Sequence, residues 1–523
     1  MNYKILRKYI DLLYQSRNKS PQQQQDVIRD ISRRGFLKDI LQVVAFGVAA
    51  NTCCAIPSDY NLILPDIGDS DRSNLSPQEA DFLGSQVIHD ITNKGSMLDA
   101  YDVLDYLNDV GDNLASYSAL AGGNFSFYLV KDKIINAFAL PGGYICLYNG
   151  LIYTTRSEAE LTSVMSHEIG HVVQHHIFRN ISGYKRNQWV SLAGILSGAL
   201  LATVNPSAGV LAMQGSQGLA TQNMLSNSRD FEREADRVGQ GIMYNAGFDP
   251  HAMPEFFKRL RDTAKFNDNE AFEFLRTHPV TSQRISDAET RANHLQTKMR
   301  PDSVSFLLAR EKCRVRQLGV LEANKFYEAS FHTKKYSNIE TQYYGGGFTR
   351  FLENKFKDSA SYLASITDKS YKNHPAVISL VAANQVGLYN FAAADKIYND
   401  GLSNYPSYKA LWIGQADLLI KSKKYKEAAN KLDDLSRTFF DDVDIWVRMA
   451  AIYSDACLNN EQKYHYALGN KAYLKGYYLD AITQYQIALK ERKNYDVKLN
   501  DVLESRLIMA STMWKRQVEY GGT

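Results

Sequence analysis

The sequence predicts a mainly α-helical protein, in which an α+β domain with a small β-sheet is followed by an all-α array of helical repeats. Two observations support this prediction. Strand-like residues are concentrated in residues 125–152, and a 34-residue period appears after about residue 305. The chain has 523 residues, 45% of them hydrophobic and 22% charged. This length exceeds what one hydrophobic core usually supports, so two or three domains are expected.

The first 55 residues have the layout of an export signal. They carry nine Lys or Arg against four Asp or Glu, and the segment SRRGFLK precedes an apolar run from Ile40 to Ala50. This run is shorter than the roughly 20 residues that a membrane-spanning helix needs. The paired arginines are typical of a twin-arginine signal, while an ordinary secretory signal and a retained membrane anchor remain alternatives. Residues 1–55 are therefore predicted to be a leader, and the periplasm is the predicted location.

Charge and cysteine content beyond the leader limit the function classes. This part carries 51 of the 60 Lys and Arg residues and 53 of the 57 Asp and Glu residues. No basic surface is indicated, so we predict no nucleic-acid partner. The three cysteines clear of the leader, Cys146, Cys313 and Cys457, imply no disulfide framework. Whether Cys313 and Cys457 are bridged is left open.

The first domain is predicted to alternate helices with one strand-rich stretch. Ser76 and Glu79 have the spacing of a capping box, and apolar residues at helical spacing predict two helices before residue 120. Alternating and β-branched residues predict strands within residues 125–152. Two further helices are predicted over residues 157–180 and 226–247.

The first of these two helices contains the segment SHEIGHVVQHH. His167 and His171 are four residues apart, so both imidazoles can point at one position beside the helix. Glu168 stands next to the first histidine and can accept a proton from an attacking water. This HExxH pattern predicts a zinc site with Glu168 as the catalytic base. A continuous helix would carry His175 roughly 12 Å beyond His167, so His175 and His176 are predicted to be bystanders or supports of a ligand.

A catalytic zinc site also needs a third protein ligand. The segment FEREADRVG offers Glu232 and Asp236, four residues apart on the next predicted helix. One carboxylate can bind the ion while the other orients a ligand histidine. Alone, this segment would be interpreted as a solvated charged helix face. The zinc helix that precedes it favours the metal-site interpretation.

The C-terminal half, residues 305–520, shows repeats. Ala360, Ala394 and Ala428 are each separated by 34 residues, the length of a tetratricopeptide repeat, in which a small residue lets two helices cross closely. A further unit has Gly469 and Ala481 at the expected offsets, and a degenerate unit starting near Trp446 is predicted in between. Such repeats stack into a solenoid that binds peptide or protein segments. A generic helical bundle is the alternative.

Three motifs together resemble one family of zinc peptidases. HEIGH followed by SRDFEREAD, and preceded by INAFALPGGYICLYNGLI, is similar to the HtpX/CaaX-protease-like family in order and approximate spacing. The resemblance covers about residues 75–295 and implies a gluzincin-type metalloprotease domain over residues 75–300. It also implies one Zn²⁺ per chain, held by His167, His171 and Glu232, because the first glutamate of the family's ExEAD motif is a ligand.

The leader and the repeats make the whole chain similar to the periplasmic BepA-type members of this family. This resemblance implies a zinc endopeptidase that binds and degrades unfolded or stalled outer-membrane proteins, or assists their assembly. Unfolded polypeptides would be the substrates, and the repeats would contact the outer-membrane assembly machinery. A repeat-based chaperone or scaffold with a latent zinc site is the alternative from another class.

The resemblance also assigns residues of the segment LRTHPVTSQRI. It implies that His278 is a conditional fourth ligand, which holds the enzyme inactive until it moves away, and that Arg284 lies near the site. The alternative for His278 is a histidine that supports a ligand or lies on the surface.

Residues Asn136, Ala137, Phe138 and Ala139 are predicted to hold substrate. Peptidases commonly bind substrate as an added β-strand along an exposed sheet edge. Backbone groups would then make the contacts, so extended and unfolded segments of varied sequence would be accepted. A buried hairpin of the core is the alternative.

The apolar segment of residues 189–204 lies between the zinc helix and the third ligand. It is slightly short for a membrane span and contains Gly194 and Gly198. An amphipathic or buried helix followed by a loop over the active site is therefore preferred to a transmembrane helix. Peripheral membrane contact, and a membrane-embedded protease, remain alternatives.

Overall fold

The computed structural model describes residues 76–98, 100–181, 189, 193–194, 196–198, 229–264, 274–298, 300–491 and 495–521. The predicted leader, residues 1–55, lies outside the described residues, as does most of residues 189–204. Within the described part of the chain, no helix has both the length and the apolar character needed to cross a bilayer.

Among the described residues, two helices precede the sheet, as predicted. Helix α1 (Pro77–Asn93) begins after Ser76, whose hydroxyl accepts a hydrogen bond from the backbone N–H of Glu79, while the Glu79 carboxylate accepts one from the backbone N–H of Ser76. This reciprocal capping box satisfies two backbone donors at the helix start. Helix α2 (Tyr101–Ala115) follows.

A three-stranded sheet follows α2. Strands β1 (Ser126–Val130), β2 (Ala137–Leu140) and β3 (Tyr144–Tyr148) lie in the order β1-β3-β2. Strand β3 pairs parallel with β1 and antiparallel with β2, so β2 occupies an edge, as predicted.

The prediction of strand character up to residue 152 is wrong at its end. Residues Asn149–Thr154 form a short helix, α3. The buried Asn149 side chain donates to the backbone carbonyl of Cys313 and to the side chain of Gln317. A side chain at Gly150 would clash with the carbonyl of Lys133 at 2.0 Å. The turn away from the sheet therefore depends on tertiary contacts and on a glycine at the close approach.

The helix that carries the two predicted histidine ligands is shorter than predicted. Helix α4 (Glu158–Val173) ends where His175 adopts a left-handed conformation with φ of 53°, and α5 (His176–Ile181) starts in a new direction. Helix α6 (Arg229–Asn245) forms as predicted and crosses α4 closely. At this crossing, an added Cβ on Gly170 would meet Ala235 at 2.9 Å, and one on Gly239 would meet Ser166 at 2.8 Å. Two further named helices of the described residues follow in the first domain: α7 (Ala252–Ala264) and α8 (Ser282–Asn293).

The C-terminal half is all helical, as predicted. Its helices follow one another with short connections and pack on their chain neighbours. They are α9 (Val304–Leu318), α10 (Val320–Thr333), α11 (Ile339–Leu352), α12 (Phe356–Ala364), α13 (Lys369–Lys372), α14 (Pro375–Gly387), α15 (Phe391–Asn404), α16 (Lys409–Lys421), α17 (Tyr425–Thr438), α18 (Val443–Tyr453), α19 (Glu461–Leu474), α20 (Tyr478–Lys490) and α21 (Val497–Gly521).

The helix crossings revise the predicted repeat positions. Ala394 and Ala428 are fully buried, but in the preceding unit the fully buried small residue is Ser359 and not Ala360. The Ser359 hydroxyl donates to the carbonyl of Gly347 across the crossing, at 2.7 Å. Buried Gln462 stands 34 residues after Ala428. A glutamine at this position interrupts the spacing of alanines in the predicted degenerate unit.

Helix α2 is one of the elements through which the two halves contact each other. The backbone N–H of Lys409 on α16 donates to Asp105 on α2, and the hydroxyl of Tyr101 donates to Asp444 on α18. Cys313 and Cys457, for which the sequence left a disulfide open, are both free.

The last helix returns to the first one. The ring of Tyr520 on α21 packs edge-on against Phe82 on α1 at 5.1 Å, and Gln517 donates to Gln86 at 3.1 Å. Trp189, in the segment after α5, also packs against Tyr520 at 5.3 Å. The helical array is therefore in contact with the first domain at both of its ends.

Candidate metal centre

Four side chains converge between α4, α6 and the segment before α8. One ligand atom from each of His167, His171, Glu232 and His278 lies within 4.8 Å of the other three, and all four residues are buried. His167 Nε2 lies 3.1 Å from His171 Nε2 and 3.3 Å from His278 Nδ1. The Glu232 carboxylate lies 3.4, 3.3 and 3.1 Å from these three nitrogens in turn. The structure thus brings together every residue predicted as a ligand.

These donors fit zinc. Ligand atoms about 2.0–2.1 Å from a tetrahedral ion are about 3.3 Å from one another, which matches the separations in this cluster. Two imidazoles and a carboxylate are also the donor set that catalytic zinc sites use. Burial lowers the pKa of His171 to about 4.

Asp236 supports His167 from the side opposite the donor cluster. Its carboxylate oxygen lies 3.0 Å from His167 Nδ1. Burial alone would lower the pKa of His167, but Asp236 and Glu232 outweigh burial and raise it to about 10. An acceptor at Nδ1 fixes the ring orientation and leaves Nε2 to face the cluster.

Arg284 links two of the carboxylates of α6, those of Asp236 and Glu232. Its guanidinium donates to Asp236 through Nε and Nη2 at 2.6 and 2.7 Å, and Nη1 lies 2.7 Å from Glu232. The side chain is 1% exposed. Burial alone would raise the pKa of both carboxyls, but Arg284 outweighs it and holds the pKa of Glu232 well below its usual range and that of Asp236 below its own.

His171 has a support that the sequence did not assign. Its Nδ1 lies 2.8 Å from Nδ1 of His176, and Nε2 of His176 lies 3.1 Å from the Glu234 carboxylate. The sequence predicts His176 to be a bystander or a support of a ligand, and no role was predicted for Glu234. A signal was present in the motif FEREAD, because Glu234 follows the ligand candidate Glu232 by two residues. The helix break that turns His176 back toward His171 had no such signal.

Glu168 lies beside the cluster with open acceptor capacity. The residue is 1% exposed, and neither carboxylate oxygen has a hydrogen-bond partner of normal length among the described residues. Burial raises the pKa of its carboxyl, against the opposing effect of nearby His278 and His167. The backbone N–H of Ala139 on β2 is close enough to favour the ionised form. A buried carboxylate that has no hydrogen-bond partner of normal length among the described residues is suited to accept a proton from a bound water.

His278 is held by its own segment. Its backbone N–H donates to the carbonyl of Phe274 at 2.7 Å, and its ring packs on the Phe274 ring at 5.0 Å. The Thr277 hydroxyl is 3.3 Å from the Asn136 side-chain oxygen, directly before β2. His278 Nε2 is 3.5 Å from Glu168. His278 therefore contacts both the donor cluster and the candidate base.

The four residues predicted to hold substrate are only partly accessible. Ala137 and Phe138 are buried, and Ala139 is half-buried. Asn136 precedes β2 and is 1% exposed, with its side-chain oxygen accepting from the backbone N–H of Ala137. Any contact of substrate with Asn136 would therefore not involve its side chain as it is placed here.

A groove of about 510 Å³ starts at the end of β2 and reaches His171. Its walls come from the start of α1, the turn between β2 and β3, and the junction of α4 and α5. The apolar side chains that line it include Leu120, Phe125, Leu140, Val172, Ile177 and Phe178. This groove could bind an apolar side chain beside the metal cluster.

Known families and proteins resemble this chain over different lengths. Residues 104–292 match the model of peptidase family M48. The beta-barrel assembly-enhancing protease of Escherichia coli (strain K12) is 29% identical over 451 residues, 85% of this chain and 89% of that protein. The putative beta-barrel assembly-enhancing protease of Vibrio cholerae is 27% identical over 467 residues, 88% of this chain and 96% of that protein. Mitochondrial metalloendopeptidase OMA1 of Arabidopsis thaliana is 33% identical over 170 residues, 32% of each chain.

Proposed function

We propose that this chain, whose residues 104–292 match peptidase family M48, is a zinc-dependent endopeptidase of the cell envelope that cleaves unfolded or misassembled polypeptides. His167, His171 and Glu232 hold the zinc ion, and Glu168 is the base. One observation carries the proposal. The buried Glu168 carboxylate, without a hydrogen-bond partner of normal length among the described residues, adjoins three convergent metal donors.

The residues of the site have separate roles in the proposed reaction. When bound, zinc polarises the scissile carbonyl and lowers the pKa of water. Glu168 accepts the proton of the attacking water and passes it to the leaving amine nitrogen. Asp236 and Arg284 keep His167 and Glu232 in place. The edge of β2 binds the extended backbone of the substrate beside Glu168, and the groove next to His171 takes one apolar side chain.

His278 makes the enzyme latent in this arrangement. Its Nδ1 is as close to the other donors as they are to one another, so it would fill the position that water needs. Cleavage then requires the segment that carries His278 to move. A permanently closed site would instead leave the chain as a scaffold or chaperone, and the position of His278 is the observation that favours this second function.

The helical array recruits substrates or an assembly partner. Its length and helix crossings support the prediction of tetratricopeptide-like repeats over residues 305–520, which bind protein segments. The similarity to beta-barrel assembly-enhancing proteases extends over 85% of the chain and supports outer-membrane proteins as substrates and their assembly machinery as partner. The layout of residues 1–55 supports export to the periplasm.

Glu168→Gln tests the proposal, because it removes the base and leaves the ligands. The mature protein and this variant, each also with His278→Ala, are compared for zinc content and for cleavage of reduced, carboxymethylated α-lactalbumin. We expect about one zinc in all four proteins, and cleavage only where Glu168 is present, faster with His278→Ala. Zinc without cleavage in all four would establish the scaffold instead of the protease.

A further inference from the structure

We infer that His176 and Glu234 form a positioning relay for His171, which fixes the tautomer of the His171 imidazole and holds its ring at the metal. The inference rests on the proposed zinc site, since it concerns one of its ligands. Neither His176 nor Glu234 is among the converging donors. Both are therefore positioning residues and not catalytic ones.

The tautomers follow from the outer end of the relay. A carboxylate can only accept hydrogen bonds, so His176 Nε2, 3.1 Å from Glu234, carries the hydrogen. At most one hydrogen can lie between the Nδ1 atoms of His176 and His171, which are 2.8 Å apart, and in the inferred relay His176 presents its lone pair there. Because His171 Nδ1 lies 2.8 Å from that lone pair, His171 must donate from Nδ1. Its Nε2 is left with a lone pair, and this is the atom that faces the donor cluster.

The break between α4 and α5 makes the relay geometrically available. In a continuous helix, residue 176 would be rotated about 140° from residue 171, on a different face. The left-handed turn at His175 redirects the chain, and His176 becomes fully buried against His171. The contact between His176 and His171 therefore exists because the helix ends early, and helical spacing in the sequence does not indicate it.

The remaining contacts hold the relay in one orientation. The His176 ring stacks on Phe231 at 4.5 Å with an interplanar angle of 4°. Arg179 lies over the same Phe231 ring at 4.1 Å and donates to Glu234 at 3.1 Å. Phe231 and Glu234 belong to α6, which also carries Glu232. The relay thus ties the end of the histidine-bearing helix to the helix that provides the carboxylate ligand.

The two ligand histidines are supported differently. His167 faces the carboxylate of Asp236 directly, whereas His171 reaches Glu234 only through a second imidazole. Outer partners of this kind typically change metal affinity by 10–100-fold when removed. We expect His176→Ala to weaken zinc binding by that amount.

The test measures zinc affinity of the full mature protein by competition with a chromophoric chelator, together with the visible spectrum of the Co²⁺-loaded protein. His176→Asn is the conservative variant, because its side-chain oxygen can replace the Nδ1 acceptor. We expect tenfold or greater weakening with His176→Ala, less with Glu234→Ala, and affinity within about threefold of the parent with His176→Asn. The Co²⁺ spectrum should change with His176→Ala and return with His176→Asn.

His175→Asn is the matched control for zinc affinity, since Asn tolerates the left-handed turn, and it should bind zinc like the parent. The inference is overturned if His176→Ala binds zinc as tightly as the parent, or if His176→Asn is as weak as His176→Ala. If His176→Ala does not fold, the His176→Asn and Glu234→Ala proteins decide between these outcomes. His171→Ala distinguishes failure of the relay from failure of the proposed zinc site. If it leaves zinc binding intact, the proposed ligand set itself is wrong.

Discussion

The hydroxyl of Thr277 lies 3.3 Å from the side-chain oxygen of Asn136, so the residue before His278 is joined to the residue before the edge strand β2. The same hydroxyl lies 3.2 Å from the carbonyl of Phe274. One side chain therefore ties the segment that closes the metal cluster to the strand proposed to hold substrate. A substrate that displaces this edge would also disturb the support of His278.

Thr277→Val should loosen this closure. Valine keeps the shape but loses the hydroxyl, and one hydrogen bond contributes about 1 kcal/mol net. We expect basal cleavage of an unfolded protein to rise about twofold to tenfold, with zinc content unchanged. Thr290→Val is the control, because it removes an exposed hydroxyl that bonds only within α8. Equal rates for Thr277→Val and the parent would show that this contact does not restrain His278.

Arg284→Met should destabilise the protein most strongly when zinc is removed. The substitution leaves the buried Glu232 and Asp236 without their cation, a loss that typically costs about 3–5 kcal/mol. Bound zinc compensates part of the charge. Urea unfolding with and without a chelator measures both effects. Arg291→Met on the same helix removes a hydrogen bond to the neutral side chain of Gln240. It should lower the free energy of unfolding by less than half as much as Arg284→Met. Equal losses for the two variants would contradict the argument.

His374 should make stability depend on pH. Its Nδ1 accepts from the backbone N–H of Ala376 at the start of α14, and its Nε2 lies 2.9 Å from Ser305. The Asp102 carboxylate acts on it in the direction that raises its pKa. Burial lowers its pKa from 6.5 to about 4. Between these values the unfolded chain binds more protons than the folded one, so stability falls as pH drops from about 6.5 toward 4.

His374→Asn removes this titration and keeps a good capping side chain. The loss of unfolding free energy between pH 7 and pH 5 should be smaller in the variant by about 2 kcal/mol. Urea unfolding at both pH values, in chelator, provides the measurement. The two proteins share every other titrating group, so parallel pH profiles would count against the assignment.

Ala394→Met should disrupt a helix crossing of the array. Ala394 is fully buried between α14 and α15, and an overpacked core position costs about 1–3 kcal/mol. Ala393→Met, one residue earlier and exposed, is the matched control and should be nearly neutral. Thermal unfolding measures the difference. Similar melting temperatures for both variants would argue against a close crossing at this position.

The parts of the site that follow helical spacing could be predicted. His167 with His171, and Glu232 with Asp236, are each four residues apart within one helix, and this spacing alone puts each pair on one face. Helix α4 also has a local start signal, since the Ser157 side chain accepts a hydrogen bond from the backbone N–H of Glu160. His278 came only from family resemblance, because no local pattern relates it to residues 111 positions earlier.

Two of the predictions that were wrong concern the end of helix α4 and the buried small residue at position 360. Both features depend on tertiary contacts. The end of α4 at residue 173 depends on a left-handed His175, which is rare for a residue other than glycine. Ser359 takes the buried position that was predicted for Ala360, because serine is small enough for the helix crossing and its hydroxyl donates to the carbonyl of Gly347. The spacing of alanines alone does not indicate that serine can occupy the same position.

The contact of Tyr520 with Phe82 changes how the helical array can come apart. Repeat arrays usually fray from the terminal unit, because that unit has a neighbour on one side only. Here the terminal helix α21 has α20 on one side and α1 on the other. Peeling it away therefore also uncovers the apolar face of α1 in the peptidase half. Hydrogen exchange should accordingly show the C-terminal helix opening together with α1, as one cooperative unit and not as a loose end.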